Sequence, residues 1–222
     1  MAHDVLAREM ETRPFDLKRL LDILISIMGL LVASPLLALT AGLIRLTMGK
    51  HVIWKQQRAG LGGRLFWIYK FRSMTDAKDD SGRLLPDSAR LTSAGRLVRR
   101  FSLDELPQFW NVLRGDMSVV GPRPLVAKYL PRYSPGQRRR HEVRPGITGY
   151  AQVHGRNALT WEAKFDLDVW YVDHRSFWLD LRILGITVWK VLRREGVSHV
   201  GHATMPEFRG TESGVIFEST QS

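Results

Sequence analysis

From Ile23 to Ile44 the chain carries no charged side chain, and only Ser26, Ser34 and Thr40 interrupt its apolar character. Asp22 stands just before this run and Arg45 just after it. At a rise of ~1.5 Å per residue such a helix is long enough to enter a hydrocarbon core ~30 Å thick. A buried helix of a soluble protein is the alternative, though few cores need one this long and apolar on every face. A cleavable signal does not fit, because the run is too long and no small-residue cleavage site follows. The sequence thus predicts a membrane helix over 17–50, preceded by a flexible polar segment, 1–16. Its flanks are both basic, with Lys18 and Arg19 before it and Arg45, Lys50, Lys55 and Arg58 after it. Basic residues mark cytoplasmic flanks. Ser34-Pro35 sits mid-run, where proline deletes a helix hydrogen bond and a serine hydroxyl can re-satisfy the freed carbonyl. A helix that turns back at Ser34-Pro35 meets both observations, and a kinked spanning helix meets the second.

The remaining length suffices for one sizeable core, and no internal repeat divides it. A net charge of +11 points to polyanionic partners: nucleic acid, anionic headgroups or phosphorylated substrates. With no cysteine, disulfides, thiolate catalysis and Cys-ligated metals are excluded. Seven tryptophans suit a chain that meets a membrane–water interface.

Chemistry is expected in the stretch from Arg99-Arg100 to Pro107-Gln108, where Asp104 and Glu105 follow two arginines and precede the apolar Phe109–Leu113. Ser102 with Glu105 three residues on matches a capping box, which predicts a helix from Ser102. Pro107 lacks an amide that this helix would use, so the helix kinks there or begins there. Either way both carboxylates lie near the positive end of a helix dipole, which favours ionised acids and bound phosphate. Ordinary first-turn acids give the same pattern.

Upstream, Val52–Trp54 reads as a strand ended by Lys55–Arg58, and Leu65–Arg72 alternates as a second strand. Lys70 and Arg72 then share one face, suited to a pyrophosphate or to cations reaching toward water. Downstream, Val119-Val120 makes a short strand before Gly121-Pro122-Arg123-Pro124. Prolines on both sides fix the backbone of Arg123, so its fork can grip an oxyanion at low entropic cost. Arg138-Arg139-Arg140-His141 reads as a run facing phosphate, headgroups or solvent. Gly149–Gly155 is a turn-rich crossing toward Arg156 and Asn157. Thr160 caps a helix on which Glu162, Asp166 and Asp168 are polar. Phe177–Leu192 mixes tryptophans with cations, as a helix lying in an interface would.

Taken in order, these motifs resemble the bacterial sugar transferases of the monotopic phosphoglycosyl transferase superfamily. The matching pieces are Trp54–Arg58, Lys70–Met74, Leu103–Gln108, Gly115–Ser118, Gly121–Pro124, Arg144–Gly149 and Gly155–Asn157, with Gly201–Phe208 like the ending of the small members. The resemblance implies transfer of a sugar-1-phosphate from a UDP-sugar, by first preference an N-acetylated one, to polyprenol (undecaprenyl) phosphate, with release of UMP. It further implies a ping-pong route with Asp104 as nucleophile, Glu105 in support, and Mg²⁺ at Asp104 and Glu105. Phosphate binding falls to Arg99, Arg123, Lys70 and Arg72, and contacts to nucleotide or sugar to Arg156, Asn157 and Asp168. The family's hydrophobic helix is re-entrant, broken at the Ser-Pro pair, here Ser34 and Pro35.

The expected fold is therefore α+β: a re-entrant membrane helix, a catalytic core over 51–202 with a small sheet, amphipathic helices on the bilayer, and a tail, 203–222. The expected location is the cytoplasmic face of the bacterial inner membrane, with lipid as partner and no nucleic acid. A membrane-tethered nucleic-acid binder rests on charge alone, and the arginines cluster near Pro, Gly and carboxylates instead of along a helix face. A non-catalytic scaffold would not need the Asp104-Glu105 pair.

Overall fold

The computed structural model describes residues 17–155, 159–193 and 207–210. Helix α1 (Leu17–Met48) contains the whole apolar run. Met28, Leu31, Val32 and Leu39 stay exposed on it, whereas Asp22, Ser26, Thr40 and Ile44 are buried. The helix does not break at Ser34-Pro35. Proline removes the amide that would bond the carbonyl of Leu31, and Ser34 Oγ donates to that carbonyl at 2.8 Å. One hydrogen bond replaces another, so the helix continues.

Both ends of α1 lean on the globular part. Near its start Lys18 Nζ donates to Asp180 Oδ2 at 2.5 Å and to the Val120 carbonyl at 3.1 Å. Arg19 donates to the carbonyls of Val112 and Leu113 at 2.6 and 3.0 Å. The Asp22 carboxylate accepts from Ser118 Oγ and the Val119 amide at 3.0 and 2.9 Å. Near its end Ile44 packs with Phe71 and Val98.

Strands β1 (Ile53–Ala59) and β2 (Leu65–Phe71) form an antiparallel hairpin, Ile53 opposite Phe71 and Ala59 opposite Leu65. Strand β1 runs through Lys55–Arg58, where the sequence placed its end. An edge strand whose residues are mostly exposed accepts such side chains. Strand β2 stops at Phe71, one residue short of Arg72. Its free edge is taken by Asn111, fully buried, whose Nδ2 donates to the Trp67 carbonyl at 2.7 Å and whose Oδ1 accepts from the Tyr69 amide at 3.1 Å.

Helix α2 (Ser93–Arg100) begins at Thr92, whose hydroxyl accepts from the Gly95 amide. A Cβ at Gly95 would lie 1.8 Å from the Ser73 carbonyl oxygen, so only glycine lets α2 press on the segment that follows β2. The expected capping box is not formed. Ser102 takes a left-handed conformation, φ 54°, whereas a capping serine is extended. A 3-10 turn, Leu103–Glu105, follows, and α3 (Gln108–Arg114) starts only after Pro107. The second of the two positions open for this helix is the correct one.

Strand β3 (Ser118–Val120) runs parallel to β4 (Gly146–Thr148). Their backbones meet so closely that a Cβ on Gly146 would lie 2.1 Å from the Gly121 amide nitrogen. Helix α4 (Trp161–His174) is capped by Thr160 as expected, and α5 (Phe177–Arg193) follows. Val112, Met117, Val119, Val120, Tyr171 and Ile183 form the main core. A second cluster joins Tyr129, Tyr133 and Phe165 to Phe208. Phe208, 2% exposed, is thus part of the globular unit and not of a tail. On α5 Trp178, Val188 and Trp189 are exposed, and Arg193 stacks over the Trp189 ring at 4.1 Å.

Candidate active site

The site is built where the 3-10 turn, strand β2 and the Pro122–Pro124 segment converge. Glu105 Oε1 accepts from Lys70 Nζ at 2.8 Å and from Arg123 Nη2 at 2.5 Å; Oε2 faces Arg123 Nη1 at 3.4 Å. Burial alone would raise the Glu105 pKa, but Arg123 and Lys70 overcome it and hold this carboxyl well below the usual carboxylate range. In return the Glu105 charge raises Arg123, whereas burial outweighs Glu105 at Lys70 and lowers it.

Asp104 is different. Residues in a 3-10 turn are rotated by ~120° from one to the next, so its side chain leaves the turn in another direction. Among the described residues no hydrogen bond or ion pair engages its carboxylate. Burial and the adjacent Glu105 charge raise its pKa, against the pull of Lys70, Arg99 and Arg123. The expectation that its surroundings favour the ionised form is corrected here: desolvation and a like charge win. Arg99 is held by Ser73, whose Oγ accepts from Nε at 2.9 Å, close enough for its charge to act on Asp104.

Arg72 does not join Lys70. Because β2 ends at Phe71 the alternation lapses, and Arg72 turns to the Met74 carbonyl at 2.9 Å, the Met48 carbonyl at 3.4 Å and the Asp76 carboxylate. Asp168 does not face the site either. It is 4% exposed and its Oδ2 accepts from Arg140 Nη2 at 2.7 Å and Nε at 3.1 Å. Arg140 Nη2 also donates to the Arg123 carbonyl at 2.8 Å, and Nη1 to the Tyr133 hydroxyl at 3.3 Å. The basic run is therefore split. Arg139 pairs with Asp173 and Glu142 at the surface, while Arg140 and His141 are buried. Periodicity cannot show this, because the run lies on a short helix and a 3-10 turn that fold inward. Arg156 and Asn157 lie outside the described residues.

Sequence reasoning missed Arg140 as the support of Arg123, and Asn111 as the clamp on β2. An asparagine inside an apolar helical run was the one signal for the latter.

The site thus sets a carboxylate that is unpaired among the described residues beside one caged by cations, in a chain whose α1 exposes apolar side chains. The chain belongs to the bacterial sugar transferase family, whose profile matches residues 13–194. It is 55% identical over 195 residues to the uncharacterized sugar transferase EpsL of Bacillus subtilis, covering 88% of this chain and 96% of that one. It is 41% identical over 183 residues to the UDP-glucose:undecaprenyl-phosphate glucose-1-phosphate transferase of Klebsiella pneumoniae, covering 78% and 39%. To the UDP-N-acetylgalactosamine-undecaprenyl-phosphate N-acetylgalactosaminephosphotransferase of Aeromonas hydrophila it is 40% identical over 184 residues, covering 79% and 44%. The chain spans less than half the length of these last two relatives.

Proposed function

We propose that this chain transfers a sugar-1-phosphate from a UDP-sugar to polyprenol phosphate at the cytoplasmic face of a bacterial plasma membrane, releasing UMP. The observation that carries this reading is the unpaired, half-buried Asp104 carboxylate beside the caged Glu105. The names of the Klebsiella and Aeromonas relatives support both substrates. They differ in their sugars, and an N-acetylated sugar is the first to test.

In the first half-reaction an Asp104 oxygen attacks the phosphorus that bears the sugar. The P–O bond to the UMP oxygen breaks and UMP leaves, giving an aspartyl phosphosugar. In the second, a polyprenol phosphate oxygen attacks the same phosphorus and the Asp104 carboxylate departs. Two displacements let one site serve two bulky substrates in turn. The raised pKa of Asp104 makes its ionised form the more basic, and so the better, nucleophile. Lys70, Arg99 and Arg123 neutralise charge around the transferring group, which is most of what a protein contributes to phosphoryl transfer.

Mg²⁺ fits beside Asp104 in one mode only. Among the described residues no three acidic or histidine side chains gather, and both Glu105 oxygens already face cations. A Mg²⁺ ion typically takes one or two carboxylates plus phosphate and water, so Asp104 would hold it with the donor's phosphates, where it would neutralise their charge. Glu105 is instead the anchor that orients Lys70 and Arg123.

Intact-mass spectrometry after incubation with a panel of UDP-sugars, without acceptor, tests the reading. The wild type gains the mass of one sugar phosphate and Asp104→Asn gains none. An adduct on Asp104→Asn, or turnover without any adduct, would remove the covalent route.

A further inference from the structure

Arg58 is a shielded cation beside this site that the proposed chemistry does not use. It is the penultimate residue of β1 and bridges to Val126. The next amide, of Ala59, donates to the Leu125 carbonyl at 3.1 Å. The strand end is thereby laid along the segment that leaves Arg123. Among the described residues the guanidinium makes one hydrogen bond, a long one, from Nη1 to the Pro124 carbonyl at 3.4 Å. Its Nε is buried, with no hydrogen-bond partner among the described residues. Burial and the neighbouring Arg123 charge lower its pKa to about 10, so it is still a cation at neutral pH.

The local charge is out of balance. Lys70, Arg99, Arg123 and Arg58 act on Asp104 and Glu105, which leaves two positive charges in excess. Glu105 acts on Arg58 through its charge, but its oxygens bond Lys70 and Arg123 and give Arg58 no hydrogen bond. A desolvated guanidinium beside a like charge is unfavourable until an anion joins it. Its planar fork matches phosphoryl oxygens, which favour two or more donors at once.

We infer that Arg58 and Arg123 together form a receptor for a phosphoryl group, with Arg58 supplying donors that Glu105 does not occupy. This assignment rests on the phosphosugar-transfer reading and names residues that hold a phosphoryl group beside Asp104. Two sources carry that chemistry, the diphosphate of the UDP-sugar and the monophosphate of the polyprenol acceptor.

The test uses the full chain in detergent as wild type, Arg58→Gln and Arg58→Lys. Thermal protection by UDP and by inorganic phosphate is titrated, and two rates are measured: adduct formation from UDP-sugar alone and discharge of the adduct by undecaprenyl phosphate. If the donor is the source, Arg58→Gln needs roughly tenfold more UDP for equal protection and forms adduct slowly. If the acceptor is the source, UDP protection is kept and discharge slows by a similar factor. Arg58→Lys keeps the charge without the fork, lies between the two, and carries the test should Arg58→Gln not fold. Wild-type UDP protection and wild-type rates in both variants overturn the role of Arg58 and leave the transfer reading standing. A wild type that UDP does not protect and that forms no adduct removes the transfer reading itself.

Discussion

Arg123 meets Glu105 with both terminal nitrogens, Nη2 at 2.5 Å from Oε1 and Nη1 at 3.4 Å from Oε2. The same residue gives its carbonyl to the buried Arg140, and its neighbour Pro122 accepts from the Gly146 amide at 2.9 Å. Arg123 is thus fixed at side chain and backbone alike. Preorganised charge of this kind acts on a transition state without reorganising at the moment of reaction.

Arg123→Lys is expected to slow adduct formation by roughly 10²-fold, because an ammonium cannot span two carboxylate oxygens and still present donors to phosphate. Circular dichroism and thermal midpoint should remain near wild type. A Lys variant with full activity would leave Arg123 a purely structural residue.

The Arg140–Asp168 pair supports Arg123 from beneath. Asp168→Ala strands a buried guanidinium and should cost about 3–5 kcal/mol in chemical denaturation. Replacing both partners by apolar residues, Arg140→Met with Asp168→Leu, should recover most of that stability. The double variant should nevertheless turn over slowly, since the Arg123 carbonyl has lost its donor. Full turnover in a stable double variant would separate this pair from the site.

Acid affects the site and the fold through different groups. Asp104 must be ionised to attack, and burial with the Glu105 charge raises its pKa. The rate of adduct formation should therefore fall, as pH is lowered, at a higher pH than an ordinary aspartate would give. Glu105 is held low and stays charged through that limb. His141 sets a separate limit on stability. Burial and Arg140 lower its pKa from 6.5 to about 4, so below 6.5 the unfolded chain binds a proton that the folded chain refuses. Stability should decline from pH 6.5 toward about 4. Replacing His141 by Gln should flatten that decline without moving the acid limb of the rate; an acid limb that moves with it would assign the limb to unfolding.

Features set by local chemistry were legible in the sequence. The apolar helix, the Thr160 cap, the hairpin and the prolines around Arg123 each follow from residue types at short range. Lys70, Asp104, Glu105 and Arg123 do come together, and the motif order carried the family. What was not legible depends on distant partners. Asp168 and Arg140 look like surface charges until each is seen to neutralise the other in the core. Arg72 looked aligned with Lys70 because alternation does not reveal where a strand stops. Phe208 gained its place from four aromatic residues far away in sequence, Tyr129, Tyr133, Trp161 and Phe165. Ser102 matched a capping pattern, yet its backbone took the left-handed turn that sets Asp104 and Glu105 apart.

The last prediction concerns how α1 meets a membrane. A helix that spans would have its two ends on opposite faces, and only one end could touch a core lying on one side. Here Lys18, Arg19 and Asp22 bond to the main core near β3 and α3, while Ile44 packs with Phe71 and Val98 near β2 and α2. Between them Leu31 and Val32 are exposed, at 67% and 80%, and with Met28 and Leu39 are left for lipid. Both ends should therefore face the cytoplasm, with the exposed face of α1 set into one leaflet. Cysteines introduced at Ala2 and at Lys50 in this cysteine-free chain should both be shielded from a membrane-impermeant maleimide in intact cells and both react after lysis. Replacing Ser34 and Pro35 by Ala and Leu restores the missing amide and raises the hydropathy of the centre, which favours a straight spanning helix. That variant should expose the cysteine at position 2 to the outside in a measurable fraction of molecules, with loss of activity in the same fraction. Labelling of position 2 in the otherwise unaltered chain would show that α1 spans, and that its contacts with the core at one end are not kept in the membrane.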